Sequence, residues 1–259
     1  MNPSEQNALV TGATAGIGAE LAGLLAEKGH GVALVARDRV RLTERARQIT
    51  EQHKVKTIVV AQDLADPKAA QAIFDELQRQ NFPISILVNN AGCGVYGKFA
   101  ETDLSDELAM LHVNMNSLVQ LTKLFLKPML ARREGKILNV ASTASFQPGA
   151  YLSLYSATKA FVLSFSTALS IELKGTGVTA TALCPGGTLT EFQQRAGMKH
   201  FTGMRPMMAR SVAEIGYDAM MRGRPMVVAG WKNKVMVAIS RRVPLMWSAQ
   251  VAERLNRGR

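Results

Sequence analysis

Short runs of consecutive apolar residues alternate along the chain with longer segments in which apolar residues recur every three or four positions. The short runs predict buried β-strands, and the longer segments predict helices. Strands are predicted at residues 7–11, 31–36, 57–61, 84–89, 136–141 and 178–184, with a seventh candidate at 225–229. Helices are predicted at residues 16–29, 39–53, 67–81, 104–133, 151–175 and 212–222.

This alternation favours an α/β fold. The predicted strands are almost entirely apolar, which is typical of a parallel sheet covered by helices on both faces. Right-handed crossovers then produce a doubly wound sheet, in which ligands bind beyond the carboxyl ends of the strands. No internal repeat or long linker is evident, so residues 1–259 are expected to form a single domain.

The composition agrees with a globular protein. A chain of 259 residues with 47% hydrophobic residues can bury a large core. No secretory signal and no apolar run of about 18 residues is present, and a cytoplasmic location is expected. The two cysteines and four histidines have no metal-ligand spacing, so no metal site is predicted.

The charge is concentrated at one end of the chain. Of the formal net charge of +11, residues 195–259 carry almost all, with 13 Lys and Arg against 3 Asp and Glu. No recognised nucleic-acid module or set of stacking aromatic residues accompanies this charge, which argues against a nucleic-acid partner.

The first predicted strand leads directly into the glycine-rich segment T-G-A-T-A-G-I-G, residues 11–18. Gly12 would permit a tight turn, Gly16 a close approach of the backbone to a ligand, and Gly18 close packing of helix on sheet. Backbone N–H groups at the start of the helix would favour a phosphate. The dinucleotide-binding residues predicted here are Gly12, Thr14, Ala15, Gly16, Ile17 and Gly18.

The end of the second strand indicates which dinucleotide is bound. An acidic residue at this place binds the ribose 2′-hydroxyl of NAD, whereas an arginine accommodates the 2′-phosphate of NADP. Ala36 stands at the acidic position and Arg37 follows it, so NADP(H) is predicted over NAD(H). Asp38 is expected to be the N-cap of the next helix.

Two further loops are expected to border the cofactor. Asp63 and Leu64 follow the third strand, and Asp63 could hydrogen-bond the adenine. Asn90, Ala91 and Gly92 form a turn of small residues after the fourth strand.

A tyrosine and a lysine lie four residues apart in Y-S-A-T-K, residues 155–159. On a helix, positions i and i+4 share one face, so Tyr155 and Lys159 can converge on one site. At about 5.5 Å and an effective dielectric of about 20, the ammonium would stabilise a phenolate by about 3 kcal/mol, which would lower the phenol pKa from about 10 toward about 8. Such a phenol could exchange a proton with an alcohol or carbonyl oxygen.

The order and spacing of these motifs resemble the compact branch of the short-chain dehydrogenase/reductase family, over roughly residues 7–190. The resemblance implies a Rossmann-like fold and hydride transfer between a nicotinamide and an alcohol or carbonyl. It assigns Tyr155 as the acid/base and Lys159 as a ribose ligand. The spacing of the family motif also implies that Ser142, rather than Thr143 or Ser145, positions the substrate oxygen.

The resemblance also carries three smaller expectations. Asn114, rather than the nearby Asn116, is implied to hold a water beside the lysine. Four residues after the sixth strand are implied to contact the cofactor, and these are Pro185, Gly186, Thr188 and Thr190. Family members are commonly dimers or tetramers, so a homo-oligomer is expected.

Beyond Thr190 the resemblance fades. Nine of the 13 methionines lie from Met198 onward, and flexible thioethers suit an adaptable apolar pocket, so residues 190–210 are interpreted as a substrate lid. Met204, Met207, Met208, Phe192 and Phe201 are its candidates, although methionines that fill an irregular core are an equal alternative. The basic C-terminal extension, residues 230–259, could contact an anionic membrane surface, form a subunit arm, or be a terminal helix with a solvated face.

The sequence therefore predicts an NADP(H)-dependent oxidoreductase acting on a small apolar carbonyl or alcohol, with peripheral membrane contact as an option. A narrower alternative is reduction of a 3-oxoacyl group on an acidic acyl carrier protein. The alternative from a different class is a non-catalytic NADP(H)-binding regulator or scaffold.

Overall fold

The computed structural model describes residues 6–198 and 205–257. It contains a central sheet of 7 parallel strands in the order β3-β2-β1-β4-β5-β6-β9. The strands are β1 Asn7–Thr11, β2 Val32–Ala36, β3 Thr57–Ala61, β4 Ile84–Asn89, β5 Gly135–Val140, β6 Val178–Cys184 and β9 Met226–Val228, and a separate pair is formed by β7 Thr188–Leu189 and β8 Met207–Met208. The Rossmann-like fold and all the predicted strands, including the seventh, are confirmed.

Helices cover both faces of the sheet. They are α1 Gly16–Glu27, α2 Arg39–His53, α3 Ala69–Arg79, α4 Leu104–Leu111, α5 Ser117–Arg132, α6 Ser153–Glu172, α7 Phe192–Arg195, α8 Ala209–Met221, α9 Trp231–Ser240 and α10 Leu245–Asn256. Alternate strand residues point to opposite faces. Ala8 and Val10 therefore join one core cluster with α1, α2 and α8, whereas Leu9 joins a second cluster with α3, α5 and α6.

The order of strands changes direction between β1 and β4, where the chain has crossed from one half of the sheet to the other. In an open α/β sheet the crevice at this point, beyond the carboxyl ends of the strands, is the place for a ligand. The glycine-rich turn after β1 and the small-residue loop after β4 lie side by side at this crevice.

The prediction of one uninterrupted helix over residues 104–133 is wrong in the middle of that range. A π-helical turn, His112–Asn116, separates α4 from α5. The cause lies outside the helix: the side chain of Asn114 is held by the backbone of Cys93 and by Thr158. A wider turn brings this amide to its distant partners, and such π-bulges are frequent at functional sites.

The C-terminal extension also differs from a single terminal helix. It forms α9 and α10, which are separated at residues 241–244. Pro244 is the N-cap of α10, where its fixed backbone angle is compatible with the start of a helix. Among the residues that the structure describes, no helix is long and apolar enough to cross a membrane.

Candidate active site

The glycine-rich turn adopts a backbone that side chains would not tolerate. Gly12 and Gly16 have positive φ angles of 67° and 55°. A Cβ on Gly18 would lie 2.3 Å from both the carbonyl oxygen of Gly12 and Nδ2 of Asn90, which is far inside van der Waals contact. Ala15, at the N-cap of α1, provides no side-chain acceptor for the first N–H groups of the helix. These donors and the helix dipole therefore suit a phosphate group.

Asn90 braces this turn from the loop after β4. Its Nδ2 donates to the carbonyl of Thr11 at 2.9 Å, and the backbone N–H groups of Asn90 and Ala91 both donate to Thr11 Oγ1 at 3.0 Å. The two loops on either side of the crevice are thus tied together. The amide NH₂ of Asn90, one of the predicted cofactor residues, therefore holds the turn in shape.

The residues expected at the adenosine end lie together after β2 and β3. Arg37 is exposed, and its Nη1 lies 3.9 Å from Oδ2 of Asp63. Asp38 caps α2 by accepting from the backbone N–H of Arg41, as expected. The side chain of Leu64 is buried in the second core cluster.

Arg41 is a further cation at this end that the sequence analysis missed. Its guanidinium lies 3.5 Å from the carbonyl oxygen of Thr14, in the glycine-rich turn, and pairs with the carboxylate of Glu191 at 2.7 Å. Glu191 also pairs with Arg195, and both arginines lower its pKa. The only signal in the sequence was the basic run 37–41, because the partner lies 150 positions away.

The loop after β6 crosses the crevice from the other side. A Cβ on Gly16 would lie 2.7 Å from Cγ2 of Thr190, so Thr190 stands directly above the glycine-rich turn. Thr188 is buried, and its hydroxyl donates to the carbonyl of Gly186 at 3.0 Å. The resemblance implies Val or Ile at this position, and the hydrogen bond satisfies the hydroxyl that Thr188 has in their place. The carbonyl of Pro185 accepts from the backbone N–H of Thr143.

Ser142, Tyr155 and Lys159 come together at the carboxyl end of β5. Ser142 follows the strand and caps a short 3₁₀ turn, and its hydroxyl lies close enough to Tyr155 to lower the pKa of the phenol. Ser145, the rival serine, instead donates to the backbone carbonyl of Lys159 at 2.7 Å and so braces α6. Lys159 is buried, and its Nζ donates to the carbonyl of Val140 at 2.9 Å.

Asn114 and Gly92 complete the wall beside Lys159. A Cβ on Gly92 would lie 3.2 Å from Nζ of Lys159 and 3.3 Å from Oδ1 of Asn114, so both polar groups face the same loop. The amide of Asn114 is fully engaged with Cys93 and Thr158. Its side chain therefore ties the π-helical turn to the loop after β4 and to α6.

The direction of the phenol pKa expected from the Tyr–Lys spacing is wrong. Burial raises the pKa of Tyr155 from 10.0 to about 12, and the nearby Ser142 hydroxyl, which lowers the pKa, opposes this only in part. Burial also lowers the pKa of Lys159 from 10.5 to about 8, and its Nζ lies 5.9 Å from the centre of the Tyr155 ring. The spacing of four residues predicts the phenol pKa of a solvent-exposed pair. In the fold both groups are buried, and burial penalises the charged form of each.

Phe192 forms the apolar side of the site. Its ring lies 5.3 Å from the ring of Tyr155, centre to centre. A Cβ on Gly94 would lie 2.9 Å from the Phe192 ring, so α7 packs closely on the loop after β4. Of the methionine candidates, Met207 packs against the first core cluster and Met208 is exposed, whereas Met204 and Phe201 lie outside the described residues.

Comparison with known proteins places this site in a family. The family model for short chain dehydrogenase matches residues 6–200. A relative named sulfoacetaldehyde reductase 2, from Chromohalobacter salexigens, is 35% identical over 216 residues, which are 80% of this chain and 85% of the relative. A very-long-chain 3-oxoacyl-CoA reductase from Anas platyrhynchos is 38% identical over 184 residues, and the match spans 69% of this chain but only 58% of that protein.

A solved structure extends the comparison to the fold. The short-chain dehydrogenase from Sphingobium yanoikuyae, solved in complex with NADPH, is similar with a TM-score of 0.83 and 30% sequence identity. The superposition covers 93% of this chain and 95% of that protein.

Proposed function

Because the chain belongs to the short-chain dehydrogenase/reductase family, we propose that it is an NADP(H)-dependent oxidoreductase that interconverts a carbonyl and an alcohol on an apolar substrate. The observation that carries the proposal is the convergence of Ser142, Tyr155 and Lys159 at the carboxyl end of β5. A protein that only bound the nucleotide would have no use for a phenol, a serine hydroxyl and an ammonium group brought together in its cleft.

The cofactor fits the residues that are present. The glycine-rich turn and Thr190 form a cradle in which a Cβ on Gly16 could not be accommodated, and the uncapped start of α1 suits its diphosphate. When bound, NADP(H) would supply or accept the hydride. Lys159 would hold the nicotinamide ribose, because Val140 engages only one of the three donors of its ammonium group.

The proton is handled by Tyr155 and Ser142. A phenol with a pKa of about 12 remains protonated at neutral pH and can donate to the oxygen of a reduced carbonyl. The Ser142 hydroxyl, which lies beside the phenol, would hold the same oxygen in place as negative charge develops on it. We therefore infer that Tyr155 acts as the proton donor when a carbonyl is reduced at neutral pH.

NADP(H) is proposed over NAD(H) on the charge at the adenosine end. No carboxylate stands at Ala36, and Arg37 is exposed and free to turn toward a 2′-phosphate because its contact with Asp63 is long. Arg41 adds a second guanidinium beside the turn. The NADPH complex of the Sphingobium protein is consistent with this choice.

The substrate is proposed to be apolar because Phe192 lies against the catalytic phenol. Residues 190–210, which include α7, would act as a substrate lid, and Thr190 and Glu191 at its start lie on the cofactor side of the crevice. Reduction of a 3-oxoacyl group is a second candidate, which is supported by the name of the Anas platyrhynchos relative and by the excess positive charge after residue 195. We also propose self-association through the long helices.

The proposal is tested by NADPH oxidation with carbonyl compounds of graded chain length and ring size. We expect turnover with apolar members of the panel, and its loss in Tyr155→Phe with NADPH affinity unchanged. A protein that binds NADPH but turns over no member of the panel would instead be the non-catalytic regulator. Turnover restricted to acyl chains on an acidic carrier protein would favour the 3-oxoacyl reductase.

A further inference from the structure

Two rows of exposed apolar side chains lie on the C-terminal helices. Trp231, Val235 and Ile239 occupy positions i, i+4 and i+8 of α9, and they are 71%, 51% and 58% exposed. The same spacing recurs on α10, where Trp247, Val251 and Leu255 are 66%, 53% and 46% exposed. We call these six residues the tryptophan face. It contains both tryptophans of the chain.

Both α9 and α10 also have a buried side. Asn233 and Val237 of α9, and Ser248, Ala252 and Asn256 of α10, are buried against the domain. Each helix therefore packs on the domain with one side and carries a row of exposed apolar residues on another. Exposed apolar rows of this kind mark interaction sites.

Positive charge surrounds the tryptophan face. Residues 231–257 contain a single acidic residue, Glu253, and it is paired with Arg257. Lys232 Nζ lies 5.7 Å from the centre of the Trp231 ring, so a cation and an aromatic ring stand side by side. The exposed basic residues of α9, α10 and the segments that end them are Lys232, Lys234, Arg241, Arg242, Arg254 and Arg257.

We propose that the tryptophan face binds the surface of a membrane that contains anionic lipids. Helices with an exposed apolar side, tryptophans and flanking lysines and arginines lie in the plane of the interface and bury their apolar side chains at the boundary of the headgroups. Each basic residue near such a surface is attracted by its negative potential.

A second copy of the chain is a poorer occupant. In a two-fold interface the same patch meets itself, so the basic residues of one copy would face those of the other. Like charges in such an arrangement oppose association. Anionic headgroups, by contrast, complement both the charge and the apolar rows.

The two helices that carry the tryptophan face pack beside the candidate active site. Asn256, at the end of α10, donates to the carbonyl of Ala150 at 2.8 Å and accepts from the hydroxyl of Tyr96 at 2.7 Å. Tyr96 in turn donates its backbone N–H to Ala196, just after α7. On the other side, α9 packs on the 3₁₀ turn that Ser142 caps.

Docking through this face would bring the crevice close to the bilayer, where an apolar substrate concentrates. This consequence rests on the proposed function, whereas the binding to lipid does not. The two are therefore tested separately.

Vesicle binding tests the proposal on the intact protein. The probes are vesicles of phosphatidylcholine alone and of an equal mixture with phosphatidylglycerol, at low and high salt. Because both tryptophans lie on the face, their emission should shift to the blue when the protein binds the mixed vesicles, and the protein should sediment with them. High salt should weaken binding, since it screens the surface charge.

Matched charge variants localise the contact. Lys232→Glu with Lys234→Glu should weaken binding to the mixed vesicles by about thirty-fold or more, since each basic residue near the surface contributes several-fold. The control is Lys54→Glu with Lys56→Glu, which makes the same change in net charge at the opposite, amino-terminal edge of the sheet. The control should bind like the wild type.

Three results would overturn the proposal. The first is that the protein does not bind the mixed vesicles at low salt. The second is that the two double-lysine variants lose binding to these vesicles equally. The third is that the protein dissociates into smaller species when Trp231→Ser and Trp247→Ser are combined. The last result would make the tryptophan face a contact between copies. Tyr155→Phe should bind vesicles like the wild type, so a failure of the enzymatic proposal is distinguished from a failure of this one.

Discussion

Burial of the Lys159 ammonium lowers the free energy of unfolding by an amount that depends on pH. The substitution Lys159→Met should remove that pH dependence. Burial lowers the pKa of this ammonium from 10.5 to about 8. Each pKa unit is worth about 1.4 kcal/mol, so the folded state loses about 3 kcal/mol at pH values below 8. Between the two pKa values the unfolded chain binds more protons than the folded protein, and the free energy of unfolding therefore rises with pH. From about pH 7 to about pH 9 the gain is about 1 kcal/mol.

Urea unfolding of the wild type and of Lys159→Met at the two pH values isolates this effect, because the other titrating groups are common to both proteins. The wild type should gain about 1 kcal/mol relative to the variant on going from about pH 7 to about pH 9. Lys123→Met, which removes an exposed lysine of α5, serves as the control and should show no such change. A difference between wild type and Lys159→Met that is the same at both pH values would refute the lowered pKa of Lys159.

Three further outcomes are expected. Arg37→Ala should raise the Kd for NADPH at least about tenfold, and that for NADH little, because only NADPH carries the 2′-phosphate; equal effects in a fluorescence titration would contradict the cofactor assignment. Gly18→Ala should destabilise the protein by about 1–3 kcal/mol in thermal unfolding and weaken NADPH binding, because its Cβ would lie 2.3 Å from the carbonyl oxygen of Gly12. Alcohol oxidation needs the phenolate of Tyr155, whose pKa is about 12, so its rate should rise about tenfold per pH unit between about pH 7 and about pH 10; a plateau near pH 8 would favour the solvated pair instead.

Much of the fold could be predicted from the sequence because its signals are local. Strands such as Ile84–Asn89 are buried along their whole length, and their apolar runs are visible without any knowledge of their neighbours. The glycine-rich turn is equally local, since the positive φ angles of Gly12 and Gly16 are available to few other residues. Parallel strands place their carboxyl ends at one edge, so the loops that follow them could be assigned to one crevice.

The remaining features depend on residues far apart in the chain. The π-helical turn at Asn114 follows from contacts with Cys93 and Thr158, and neither is visible in the helical pattern. The pairing of Arg41 with Glu191 joins the first turn of α2 to the segment after β7. The predicted direction of the Tyr155 pKa shift was wrong for the same reason. Burial depends on the folded surroundings of a side chain and cannot be read from a spacing of four residues.

Isotope transfer tests the central claim most directly. The protein is incubated with NADPH that carries deuterium at C4 of the nicotinamide and with the best carbonyl substrate, and the alcohol is analysed by mass spectrometry. We predict that the deuterium appears on the carbinol carbon, and that Tyr155→Phe, with NADPH still bound, forms no labelled alcohol. An alcohol without deuterium, or transfer by Tyr155→Phe at the rate of the wild type, would contradict the account.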